Sequence, residues 1–213
     1  MNTLPYTIEA CVETYEEALK AVINGAHQIE LCANLNDDGL TPSLGLAISI
    51  KEALEEIPIK IMIRCRKGNF IYSMDEIALM VNSIQDFKEA GFESFVFGAT
   101  TKKQELDMDA IRMISEAIGD EGSLCIHKAI DTTKHIIAEL KKLSEFANLN
   151  EVLTSGGRPT ANEGAYMLHD MISEAPYGID IIAAGRITEA NLEEMHALIG
   201  ARIYHGRKIV SLR

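Results

Sequence analysis

Short apolar runs and helical patterns take turns along the whole chain, and that alternation leaves few folds open. The apolar runs are TIEACV (7–12), QIELC (28–32), IKIMIRC (59–65), SFVFG (94–98), SLCIHKAI (123–130), EVLTSGG (151–157), IDIIAAG (179–185) and ARIYHG (201–206). A helical pattern follows each of the first seven: 14–26, near 44–56, near 74–90, near 107–118, the stretch DTTKHIIAELKKLSEFA, near 161–174, and TEANLEEMHALIG. Strand and helix signals in strict alternation imply a parallel sheet with crossover helices. Eight such units point to a closed (β/α)8 barrel of the TIM type, which usually takes about 250 residues but can take about 200. An open doubly wound sheet fits less well, because the first turn lacks GxGxxG and eight strands exceed its usual need. No linker or composition shift interrupts the 213 residues, so residues 1–213 are expected to form a single domain. The chain stops seven residues after the last strand signal, so a full eighth helix is not expected. The flank it would cover is left to a partner subunit, as in a homo-oligomer, or stays bare.

Composition narrows the partners. With 32 acidic and 20 basic residues the formal charge is −12. Nucleic acid and anionic membranes reward a basic surface, so neither is expected as the main partner. No apolar run approaches the roughly 20 residues a membrane helix needs, and the N-terminus does not read as a secretory signal. The four cysteines form no CxxC pair and a chain this size needs no disulfide framework, so they read as reduced thiols in a cytoplasmic protein.

Barrel geometry allows an inside–outside test, since apolar positions pack on helices and their alternates face the lumen. Ile8, Ala10 and Val12 face out, which turns Glu9 and Cys11 inward. Ile29 and Leu31 face out, which turns Glu30 and Cys32 inward. In the third run Ile59, Ile61, Ile63 and Cys65 face out, leaving Met62, Arg64 and Arg66 inside. In the fifth, Leu124, Ile126 and Ile130 face out, leaving Cys125, His127, Ala129 and Asp131 inside. Buried charges cost several kcal/mol unless paired, so this set is either an ion-pair network or a working site. The charges lie toward the C-terminal ends of the strands, where barrel enzymes place their chemistry.

Glycine clusters follow the last three strands: TSGG (154–157), AAGR (183–186) and HGRK (205–208). Loops after the seventh and eighth strands often hold phosphate in barrels. Ser155, Gly156, Gly157, Gly185 and Arg186 are therefore candidate anion-binding residues, although glycine equally serves a tight turn. Ser73, with Glu76 three residues on, reads as a helix capping box.

At this point whole segments resemble the CutC copper-homeostasis family. IEACVETYEEALKAVINGAHQIELC followed by GLTPSLGL is similar to the family's EVCV…GADRIELC…GGLTPS. IKIMIRCRKGNFIYSMDEI resembles VMIRPR.GDF.YS..E, CIHKAID resembles TFHRAFD, EVLTSGGRPTANEG resembles RILTSG…A..G, and IIAAGRITEANL resembles IM.GGG…N. The resemblance covers nearly the whole chain in order. It implies a (β/α)8 barrel and a cytoplasmic protein linked to copper handling. Departures occur at Cys65 (usually Pro), Cys125 (usually Thr), Lys128 (usually Arg), and Ala184 and Arg186 (usually Gly). The outward parity of Cys65 marks it as a core thiol.

Two functional readings stand. The first is copper(I) binding in the lumen by Cys11 and Cys32, which lie at matching depth on adjacent strands, because thiolates are soft ligands suited to Cu(I). The second is an enzyme of lyase, isomerase or hydrolase type acting on a small anionic or phosphorylated metabolite. There Arg64 and Arg66 clamp the anion, His127 moves protons, Glu30 or Asp131 orients it, and Glu9 completes the acidic set.

Overall fold

The computed structural model describes residues 4–212. Eight parallel strands close into a barrel in sequence order, β1 Thr7–Val12, β2 Gln28–Leu31, β3 Ile59–Met62, β4 Ser94–Phe97, β5 Ser123–Ile126, β6 Leu149–Thr154, β7 Asp180–Ala183 and β8 Ile203–Gly206. Seven helices fill the crossovers: α1 Tyr15–Ile23, α2 Leu44–Ala53, α3 Met74–Glu89, α4 Met108–Ile118, α5 Ile136–Lys142, α6 Ala165–Glu174 and α7 Leu192–Ile199. No helix follows β8 among the described residues. The exposed Ile23 of α1 and Leu198 of α7 belong to the two helices that flank that gap.

Local chemistry sets the helix starts. Thr14, Ser43, Ser73 and Asp107 each accept a backbone N–H from the first turn, satisfying donors that a helix start otherwise leaves open. The capping box expected at Ser73 is present, with Glu76 reaching back to the Ser73 N–H at 2.8 Å.

Strand alternation then divides the core in two. Outward side chains such as Ala10, Leu31, Ile61, Phe97 and Tyr204 join the large apolar layer beneath the helices. Inward ones build a smaller cluster of Cys11, Cys32, Met62, Val96, Cys125, Leu153, Ile182, Ala184 and Ile203. Parity therefore holds wherever the residue lies inside a strand. Past strand ends it holds unevenly: Arg64 and His127 still reach the lumen. β3 stops at Met62, and Cys65 is exposed rather than a core thiol.

Candidate functional site

A cavity of about 590 Å³ opens where the strands end, within the range usual for small-molecule sites. Its walls include Cys11, Glu30, Cys32, Arg64, His127 and His205. Cys11 and Cys32 come from adjacent strands, and their sulfurs are 3.9 Å apart. The Cys32 thiol also lies 3.1 Å from Glu30 Oε1. Cys11, Glu30 and His205 each offer a ligand atom, and these three lie within 4.8 Å of one another.

Electrostatics tie this group together. Burial disfavours the His205 cation, but Glu30, Cys11 and Glu9 outweigh it and raise its pKa well above the ordinary range. The Cys32 hydrogen bond lowers the Cys11 pKa with help from His205, against burial and Glu30. The same hydrogen bond and burial push Cys32 up. Burial raises Glu30, and Glu9 adds to it. Of the two thiols, Cys11 is therefore the one more readily deprotonated, and its acidic neighbours favour the protonated form of His205.

His205 was not singled out in the sequence, although alternation along IYHG would have turned it inward beside Tyr204. Lys60 was likewise missed, although it alternates with Ile59 and Ile61. Lys60 reaches Glu9 at 2.6 Å and Glu151 at 2.5 Å inside the barrel. Glu9 also accepts from Gln28 at 2.7 Å and lies 2.9 Å from His205 Nδ1. Burial alone would raise the Glu9 pKa, yet Lys60 and His205 hold it at about 2. Glu9 lies beneath the cavity in a buried ion-pair layer with Lys60 and touches the cavity through His205.

His127 lies just past β5, at the start of a 3₁₀ turn over Lys128–Thr132. Its Nδ1 accepts the Ala129 N–H at 3.1 Å. Neither Glu30 nor Asp131 orients it, contrary to the expectation from alternation. Burial and then the Arg64 charge hold its pKa down to about 3, so the ring is neutral near pH 7. Gly98 makes room for it: a Cβ there would fall 2.5 Å from His127 Nδ1.

Asp131 lines the cavity, as do Ser155 and Gly157, and its carboxylate faces the β6 loop. It accepts from Ser155 N and Gly157 N, both at 2.9 Å, and from the Thr154 hydroxyl, with Ser155 Oγ also at 2.9 Å. The positive φ of Gly157 (69°) turns its amide toward that carboxylate. The amides expected to cradle a phosphate are thus filled by the protein's own carboxylate. Gly156 donates to Thr154 Oγ1, and the Gly185 carbonyl accepts from Ala161 at 2.8 Å, so both serve loop packing. Arg186 is exposed and does not line the cavity. Arg66 also lies outside it, since its guanidinium pairs with Glu76 and the Ile71 carbonyl at the start of α3. Of the two expected clamp arginines, only Arg64 reaches the cavity. Cys125 is buried away from it as a packing thiol.

A family model described as the CutC family matches residues 6–210. The chain belongs to the CutC family. A CutC family protein of Aliivibrio fischeri is 34% identical over 199 residues, covering 93% of this chain and 80% of that protein. The human copper homeostasis protein cutC homolog is 34% identical over 200 residues, covering 94% of this chain and 72% of that protein. A crystal structure of CutC from Streptococcus agalactiae superposes with TM-score 0.88 at 25% identity, covering 96% of this chain and 100% of that chain. A 2,3-dimethylmalate lyase shares the fold alone, with TM-score 0.63 at 17% identity, covering 95% of this chain and 76% of that one. The CutC assignment agrees with the closed barrel built above.

Proposed function

We propose that this CutC-family protein binds one copper(I) ion between Cys11 and Cys32, as part of copper homeostasis in the cytoplasm. The observation that carries this reading is the thiol pair itself, 3.9 Å apart on the cavity wall. Metal–thiolate bonds of about 2.3 Å, the zinc value taken as a guide, span sulfurs up to about 4.6 Å apart. Soft sulfur donors favour Cu(I) over the hard divalent ions. His205 and Glu30 add a third and fourth donor within reach of Cys11. Glu30, which accepts from the Cys32 thiol at 3.1 Å, can take the proton that thiol gives up, since Cu(I) binds the thiolate form. A reducing cytoplasm would keep the pair free for metal. The human and Caenorhabditis elegans relatives are named copper homeostasis protein homologs, which supports the same reading.

The acid–base enzyme reading has less support, because His127 has no carboxylate partner and a pKa of about 3. Anaerobic titration of reduced protein with Cu(I) against a chromophoric competitor tests the proposal. One equivalent should bind, Cys11→Ser and Cys32→Ser should each weaken it at least about tenfold, and Cys65→Ser should leave it unchanged. Equal affinity in wild type and both lumen variants would refute it.

A further inference from the structure

The same cavity holds a second cluster that copper binding does not use. Arg64 is 2% exposed and has no carboxylate partner among the described residues. Its NH1 donates only to the carbonyls of Asp37, Asp38 and Gly39 at 3.1–3.2 Å, and its NH2 to that of Gly68 at 2.9 Å. Those carbonyls satisfy hydrogen bonds but leave the charge uncompensated, which is costly inside a protein. His127 is 4% exposed, and its Nε2 has no partner. Because Nδ1 accepts the Ala129 N–H, the proton of the neutral ring resides on Nε2. Nε2 is therefore an unsatisfied buried donor.

The Phe70 ring packs against both groups. It is 4.8 Å from the His127 ring and 4.9 Å from the Arg64 guanidinium carbon. Its carbonyl accepts the Thr100 N–H at 2.8 Å, and its half-buried side chain is the group that would have to turn aside to admit a ligand. An aromatic face is a weak substitute for a true acceptor. An oxyanion would satisfy the His127 donor and neutralise Arg64 together. Met62, Leu153 and the displaced Phe70 ring would meet its carbon part. Lys128 and Arg158 line the same cavity and would add attraction, offsetting Asp38 and Asp131 there.

We propose that the cavity is also a binding site for a small organic anion, a carboxylate or phosphate ester, held by His127 Nε2–H and the Arg64 guanidinium with Phe70 as a movable cover. His127 acts here as a neutral donor. The site uses neither thiol, so it stands or falls apart from copper binding.

The test is calorimetry on reduced, copper-free protein with 2-phosphoglycolate, with succinate, and with neutral succinamide as control. Binding of either anion at millimolar concentration, with succinamide silent, supports the site. Phosphoglycolate alone marks a phosphate ligand, succinate alone a carboxylate, and both a general oxyanion site. His127→Phe keeps a ring but removes the donor, and should weaken binding about tenfold or more. Silence with both anions, equal response to succinamide, or unchanged affinity in His127→Phe would overturn the proposal. Should that variant not fold, the wild-type His127 Nε2–H resonance decides. It should move on adding the bound anion, and a static resonance would equally overturn the site.

Discussion

Replacing Asp131 with Asn would change one atom type in a carboxylate that fills the turn after β6. Oδ1 accepts from Gly157 N and the Thr154 hydroxyl, and Oδ2 from Ser155 N with the Ser155 hydroxyl beside it. An asparagine amide must put NH2 at one of those two places. Either way a donor then faces a backbone N–H, and that amide is orphaned. An orphaned buried donor costs about 1–3 kcal/mol, and each remaining bond falls from the roughly 1.5–3 kcal/mol of a charged pair toward about 1 kcal/mol. The expected loss is about 3–5 kcal/mol, a large share of the roughly 5–15 kcal/mol that stabilises a domain. Urea unfolding at pH 7, followed by circular dichroism, reads this directly. Hydrogen exchange at Ser155 and Gly157 should speed up in parallel. A loss under about 1 kcal/mol with both amides still protected would refute the view that Asp131 acts as the loop's internal anion.

Two further outcomes follow from the buried charges. Lys60→Met removes the cation that bridges Glu9 and Glu151, leaving Glu151 unpaired and Glu9 with His205 alone, and urea unfolding at pH 7 should show a loss of about 3–5 kcal/mol; a loss near zero would contradict the ion-pair layer. His127 has a folded pKa of about 3 against an ordinary 6.5, so the unfolded chain takes up the proton first. Its contribution is full above about pH 6.5 and fades as pH falls toward 3, by roughly 2 kcal/mol at pH 5 at about 1.4 kcal/mol per pH unit. Urea unfolding at pH 7 and pH 5 should therefore show a steeper decline in wild type than in His127→Phe, and equal declines would contradict a buried neutral ring.

The barrel was legible because each strand carries its own inside–outside alternation and each crossover its own helical pattern. Cys11, Glu30, Cys32, Met62 and Cys125 lie within strands or one residue past them, and their inward placement follows from neighbouring apolar residues alone. Alternation is a property of extended backbone, so it weakened past the ends of β3 and β5, where Arg64 and His127 still reached the cavity but their neighbours diverged. That is why Cys65 emerged exposed and Arg66 turned to Glu76, while Asp131 reached the cavity wall with its carboxylate taken up by the β6 loop. Asp131 meets Gly157 across 26 residues and His205 meets Glu9 across 196, separations that no local pattern reports. Glycine-rich text alone could not tell amides awaiting a ligand from amides already paired within the chain.

X-ray absorption at the copper edge, on protein loaded with one equivalent of Cu(I), addresses the thiol pair most directly. The account predicts two sulfur neighbours in wild type and their loss in the Cys11→Ser, Cys32→Ser double variant. A first shell of nitrogen and oxygen alone, or a spectrum unchanged in the double variant, would contradict it.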